Sequence, residues 1–242
     1  DLEEKYKINL ESHEYDFFKK NYSDTYFSAK QCIEIDSIRY AINYITDKDI
    51  KSLYLVALMN AMCVCEATSG HFAQYLPSDH PRLEKIKNKS IWNEFLKKCN
   101  DFKKIVFSNF ENKCFNLNYE KLIELPEFDD VDLVYIDPPY TGEQYSRFYH
   151  VLETICKYDN PELEFKGLYR TDRFTSPFSL RTKAFDEFDK LFSSLASKGK
   201  KIVLSYSTKG LIKEYEMEYL LKKYFKNRET KRTSYSHSTQ GK

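Results

Sequence analysis

Val131-Asp132-Leu133-Val134-Tyr135-Ile136 runs directly into Asp137-Pro138-Pro139-Tyr140, and the reading of this stretch decides the fold. Its first part is nearly continuous in apolar residues, which marks a strand in a sheet covered on both faces. Its second part halts the strand at a carboxylate and two prolines. Working outward, further short strands are predicted at residues 104–107, 113–117, 201–206 and near 228–235. Helices are predicted at 119–125, 143–158, 183–197 and 209–225, with a loop containing Pro161, Gly167 and Pro177 between the second and third. Such alternation defines an α/β domain with a mainly parallel sheet. Upstream, Ile33, Ile38, Ala41, Ile42 and Ile45 recur at helical spacing, and a second helix is predicted at 50–67. The expected organisation is a mainly helical portion over 1–100 and an α/β core over 101–242.

Of the 242 residues 41% are hydrophobic and 16% aromatic, enough for one sizeable core or a core with a small lobe. The formal net charge is only +1, so a nucleic-acid reading must rest on local charge. Cys32, Cys63, Cys65, Cys99, Cys114 and Cys156 lack CxxC spacing and read as free, buried thiols. A cytoplasmic location is expected, because neither a disulfide framework nor a secretory signal is visible. The apolar run 53–65 is interrupted by Asn60 and too short to span a bilayer. His13, His71 and His80 lack ligand spacing, and no metal is expected.

In open α/β sheets ligands bind outside the carboxyl ends of the strands, where Asp137 to Tyr140 fall. By themselves four such residues more often form a surface turn, since Asp and Pro are ordinary turn formers. The chemistry they offer is nevertheless specific. The Asp137 carboxylate and the Pro138 carbonyl present two acceptors to the hydrogens of one amino group, and the carboxylate stabilises positive charge developing there. Two successive prolines, Pro138 and Pro139, stiffen the loop before any substrate arrives. Tyr140 can stack on a base taken out of a duplex.

These residues, together with Glu143-Gln144-Tyr145-Ser146-Arg147-Phe148-Tyr149-His150-Val151-Leu152-Glu153-Thr154-Ile155, resemble the DNA adenine N(6)-methyltransferases. The resemblance is to a subgroup carrying a QYS...YHxLETI pattern after the catalytic loop. Thr175 to Ser179 and Ile202 to Ser207 are similar to later segments of that subgroup, the second a strand bordering the target-base pocket. Thr25 to Ser28, Ile35 to Arg39 and Thr68 to Phe72 resemble earlier phrases with no assigned role. The resemblance implies a Rossmann-like sheet with a helical N-terminal portion belonging to the target-recognition lobe. It further implies transfer of a methyl group from S-adenosylmethionine to the amino nitrogen of adenine in double-stranded DNA. The implied setting is a prokaryotic or phage restriction-modification system with a cognate endonuclease. Asp137, Pro138, Pro139 and Tyr140 are then the catalytic residues, with Ser205 and Tyr206 beside the target base.

The sequence departs from the family at the cofactor. The expected FxGxG loop lets the backbone approach S-adenosylmethionine closely, yet Gly70, Gly142, Gly167, Gly199, Gly210 and Gly241 contain no GxG. The chain is therefore expected to lack the first strand and the glycine loop, as an incomplete piece or as a natural truncation that no longer binds cofactor. Asn118 stands in Asn116-Leu117-Asn118-Tyr119, where the family commonly has an acidic residue beside the cofactor's adenine. With Asp137 it is the cofactor-binding candidate, and a helix cap is its equally good alternative.

For DNA, Tyr145, Arg147, Tyr149 and His150 mix stacking and phosphate-binding groups, Arg147 being the preferred phosphate contact; an ordinary amphipathic helix surface is the alternative. Arg170, Arg173 and Arg181, and the cluster Lys222, Lys223, Lys226, Arg228, Lys231 and Arg232, are further basic candidates. Two other functions remain open: a catalytically silent DNA-binding module, and an adenine methyltransferase acting on RNA.

Overall fold

Short polar side chains set where the helices begin. Asp1 accepts from the Glu3 N–H at 3.0 Å, Asp47 from Asp49 and Ile50, and Ser90 from Asn93. Ser28 and Gln31 cap each other reciprocally, each side chain accepting from the other's backbone N–H. The computed structural model describes residues 1–102 and 110–234. In chain order the helices are α1 (Leu2–Ser12), α2 (Phe17–Asn21), α3 (Ala29–Asn43), α4 (Lys48–Cys65), α5 (Leu83–Lys87), α6 (Ile91–Asp101), α7 (Tyr119–Ile123), α8 (Pro126–Asp129), α9 (Tyr145–Phe148), α10 (His150–Lys157), α11 (Ala184–Ser197) and α12 (Glu214–Tyr224). The strands are β1 (Leu133–Ile136), β2 (Leu163–Glu164), β3 (Tyr169–Arg170) and β4 (Lys201–Leu204). The described residues fall into two units, a helical one of residues 1–102 and 145–173 and a second of residues 110–144 and 174–234.

In the helical unit α1 and α2 pack on α3, while α4 packs on α3 and α6. Phe18, Tyr22, Phe27, Ile35, Ile38, Leu58, Phe72 and Phe95 fill its core. Charged groups inside it are engaged through most of their polar atoms, Arg39 Nη1 being an exception. Glu34 accepts from the Ile91 N–H at 2.6 Å and so caps α6 from outside. Asp36 accepts from the N–H groups of Phe18 and Lys19 and from the Tyr158 hydroxyl at 2.6 Å. Burial pushes the Asp36 carboxyl up to about 6, with these bonds pulling the other way. Arg39 donates to the Ile155 carbonyl at 2.9 Å, in the last turn of α10. These links give the phrase from Ile35 to Arg39 a structural task.

The second unit is built on β1 and β4, paired in parallel with Ile136 opposite Leu204. Side chains alternate across a strand, so Val134, Ile136, Ile202 and Leu204 share one face and pack with Phe188, Phe192 and Leu195 of α11. The other face carries Leu133, Tyr135 and Val203, all exposed. A sheet covered on both faces is the expectation; among the described residues only one face is covered. The α/β class holds, with mostly helices and a small parallel sheet.

Several boundaries move. The segment 104–107 lies outside the described residues. Residues 113–117 form no strand: they have no ladder partner among the described residues, and Phe115 and Leu117 stay exposed. Residues 228–234 likewise have no strand, and Tyr235 lies outside the described residues. The helix expected at 143–158 breaks at Tyr149, whose φ of −117° and ψ of 14° are not helical. The helix expected from 209 begins at Glu214, because Ser207 to Gly210 closes a turn. The cysteines are free, but Cys63 and Cys114 are exposed rather than buried. Among the described residues no helix is long and apolar enough to cross a membrane.

Candidate active site

Parallel strands in register end side by side, so Asp137 after β1 and Ser205 after β4 leave the sheet at one edge. The Ser205 N–H donates to the Ile136 carbonyl at 3.0 Å and fixes that edge. Asp137 is exposed there, Pro138 is buried, and Pro139 and Tyr140 are half-buried. The loop is anchored at its far end by the Leu211 N–H, which donates to the Tyr140 carbonyl at 2.9 Å. The Tyr140 ring meets the Tyr206 ring edge to face, with centroids 6.5 Å apart.

Tyr206 is itself held from below. Its ring stands against Phe188 at 5.5 Å, and its hydroxyl accepts from the Ile212 N–H at 3.2 Å. Burial raises the phenol's pKa above its ordinary value, which keeps the hydroxyl neutral. Gly210 passes so close that a Cβ there would meet the Tyr206 ring at 2.5 Å, so a side chain at this position would displace the ring.

A second wall comes from the Pro177–Ser179 turn. The Ser176 N–H donates to Gln144 Oε1 at 2.7 Å, and Ser179 Oγ donates to the Glu143 carbonyl at 3.1 Å. The stretches at 137–144, 175–179 and 202–207, far apart in the chain, are thus tied together around one sheet edge. Gln144 and Ser179 lie in the stretches that carry the resemblance but have no site role from the sequence, and Gly210 is there only one of the six glycines. A Gln just past the loop and a serine-rich turn were the available signals.

Asn118 accepts from the Glu120 N–H at 3.2 Å and is the N-cap of α7, as its alternative reading had it. The next residue, Tyr119, donates to Glu187 Oε1 at 2.8 Å.

The DNA-binding candidates divide between the two units. Ser205 and Tyr206 belong to the sheet edge, whereas Tyr145, Arg147, Tyr149 and His150 belong to the helical unit. Tyr145 and Tyr149 are about half exposed and meet edge to face at 5.8 Å. Arg147 is exposed, donates to the Tyr169 hydroxyl at 3.1 Å and lies over that ring. His150 is a different case. It is 1% exposed, its Nε2 lies 3.0 Å from the Phe72 carbonyl, and burial lowers its pKa to about 4. That position makes it a neutral interior group and removes it from the set that can meet DNA. The same holds for Arg170, 2% exposed and clasped by the carboxylates of Asp159 and Asp172. Arg173 pairs with Glu164. In the C-terminal cluster Lys222 pairs with Glu218, Lys223 with Asp189 and Arg232 with Glu214, so its charge is offset more than the sequence suggested.

The loop at the end of β1 thus presents a carboxylate, a backbone carbonyl between prolines and an aromatic ring side by side. Residues 4–208 match the model of the D12 class N6 adenine-specific DNA methyltransferases, and the chain belongs to that family. It is 30% identical over 204 residues to the modification methylase LlaI of Lactococcus lactis subsp. lactis, covering 82% of this chain and 31% of that protein. The type II methyltransferase M.FokI of Planomicrobium okeanokoites is 31% identical over 226 residues, 88% of this chain and 32% of its own length. The type II methyltransferase M2.HphI of Haemophilus parahaemolyticus is 28% identical over 194 residues, 74% of this chain and 54% of its own. The chain thus spans about a third of the length of the first two of these relatives. No solved structure matches it.

Proposed function

We propose that this chain receives the target adenine of a site-specific DNA methyltransferase and prepares its amino nitrogen for methylation. The observation that carries this reading is the convergence of Asp137, Pro138, Tyr140, Ser205 and Tyr206 on one edge of the parallel pair. An adenine amino nitrogen is a poor nucleophile because its lone pair is delocalised into the ring. The Asp137 carboxylate and the Pro138 carbonyl accept from its two hydrogens and favour the pyramidal nitrogen of the transition state. Burial of Pro138 and the following Pro139 hold that carbonyl in place beforehand. Tyr140, braced by Tyr206, offers a face to a base flipped out of the duplex. Tyr145, Arg147 and Tyr149 serve the DNA on the helical unit.

Membership of the family implies S-adenosylmethionine as the methyl donor. The described residues do not by themselves fit it: Asn118 is engaged as a helix cap, and no glycine pair offers a close backbone approach. Of the two cofactor candidates Asp137 is exposed at the loop, and Asn118 is exposed with its amide nitrogen outside the capping bond. This reading assigns no glycine-rich cofactor loop among the described residues. Its partners are double-stranded DNA and, as the relatives' names suggest, the restriction endonuclease of the same system.

The test is transfer of labelled methyl groups from S-adenosylmethionine to adenine in duplex DNA by the full-length gene product. Label on adenine that vanishes in Asp137→Ala supports the enzyme; DNA binding without label would make the chain a silent binding module.

A further inference from the structure

The helical unit carries a strained hairpin that the proposed chemistry does not use. Strands β2 and β3 pair antiparallel, Leu163 with Arg170 and Glu164 with Tyr169, and Phe165 to Leu168 forms the turn. Phe165 and Leu168 both have positive φ, 59° and 53°. Bulky residues adopt that conformation rarely, and it persists where surrounding structure over-determines it. Here the surroundings do so. The Tyr26 hydroxyl donates to the Gly167 carbonyl at 2.8 Å and lies 2.6 Å from the Phe72 carbonyl, and the Tyr22 hydroxyl donates to Leu168. Tyr169 bonds the Ala73 carbonyl, and a Cβ at Gly167 would collide with the Tyr169 ring. The hairpin is therefore held from below by buried tyrosines.

What this support presents to solvent is Phe165, 71% exposed on a unit that otherwise buries its phenylalanines well. Beneath it lies a cleft of about 500 Å³ lined by Arg147, Phe165, Lys166, Gly167, Tyr169 and Arg173. Arg147 and Arg173 lie over the Tyr169 ring, at 5.2 and 5.0 Å from its centroid. Of the lining cations, Arg173 is paired with Glu164. An exposed ring beside three cations and a second ring is the surface that a polyanion with flat, stackable bases would complement.

We propose that Phe165 stacks on a base of the DNA while Arg147 and Lys166 hold the adjoining phosphates. This rests on the reading that the protein acts on DNA and adds a contact outside the Asp137 loop. Stacking of this kind is worth about 1–3 kcal/mol per base, and since about 1.4 kcal/mol is a factor of ten it corresponds to roughly 5- to 150-fold in affinity.

The test uses the full-length protein with fluorescein-labelled duplex and single-stranded oligonucleotides. Phe165→Ala is expected to weaken binding at least fivefold with its melting temperature unchanged, because the side chain is mostly in water. Phe165→Trp is expected to bind as the unaltered protein does, with the added tryptophan quenched by DNA over the Trp92 background. Lys166→Ala is expected to weaken binding of all sequences alike and to lower the slope of log affinity against log salt by about one. Unquenched Phe165→Trp fluorescence and unchanged Phe165→Ala affinity would overturn the proposal, even if methyl transfer is intact. Quenching without methyl transfer by the unaltered protein would keep the stacking contact and remove the enzyme reading.

Discussion

In the helical unit Asp36 and Arg170 are 1% and 2% exposed and every oxygen or nitrogen just described on them meets a partner. In the second unit Leu133, Tyr135 and Val203 stand in water on the open face of a parallel sheet. One region places polar groups inside and satisfies most of them, Arg39 Nη1 and His150 Nδ1 excepted; the other leaves apolar groups outside. A buried, paired charge is costly to break, because its partner is stranded in low dielectric. An apolar side chain already in water has little left to lose. Damage of equal chemical size should therefore be felt very differently in the two regions.

The largest stability effect is expected at Arg170. Arg170→Met leaves Asp159 and Asp172 facing each other without their shared cation, and the αL residues Tyr158 and Asn160 flank that clasp. Both carboxylates are partly solvated, with side-chain exposures of 43% and 53%, so the cost is discounted to about 2–3 kcal/mol from the 3–5 of a fully buried pair. Urea unfolding measures it. A loss below about 1 kcal/mol would show the clasp to be surface electrostatics.

A smaller effect follows from His150. Its pKa in the fold, about 4, lies below the ordinary 6.5, so its contribution is fully present above 6.5 and is lost as pH falls from there towards 4. Asp36 and Glu66 act in the opposite sense. Their folded values of about 6 and about 7 lie above the ordinary carboxyl range, so their contributions grow as pH falls through that window. His150→Gln, which can keep a bond to the Phe72 carbonyl, is expected to retain more stability at pH 5 relative to pH 7 than the unaltered protein. Parallel melting-temperature curves for the two proteins over that range would contradict the assignment.

The smallest effect is expected on the open face. Tyr135→Thr keeps the strand-forming shape and should change stability by no more than about 0.5 kcal/mol. A loss of 2 kcal/mol or more would mean that the face is covered in the protein as it works.

The sequence made the strand-to-loop junction legible, because an apolar run stopped by Asp137 and two prolines has few other readings. The helices at α3, α4 and α11 were legible from apolar spacing alone. Residues 113–117 misled because strand propensity says nothing of a partner, and here none of the described residues pairs with them. His150 misled because it was grouped with its polar neighbours in sequence. Thr154, four residues on, is buried, as are Val151 and Ile155 of the same helix, and the i to i+4 relation to Thr154 would have put His150 on the inner face. Arg170 could be read as interior only by noticing Asp159 and Asp172 on either side. The convergence of the 137–144, 175–179 and 202–207 stretches had no signal in local pattern, since it depends on the register of β1 and β4.

In the proposed function Asp137 acts on the amino group during methyl transfer and has no part in holding the protein or the DNA together. The direct measurement is the single-turnover rate of adenine methylation by the full-length protein and its Asp137→Asn variant, with DNA affinity and melting temperature measured alongside. That role predicts a rate at least about a hundredfold lower, the size seen when one preorganised transition-state partner is lost, with affinity and melting temperature little changed. An unchanged rate, or a rate loss matched by an equal loss of DNA affinity, would contradict it.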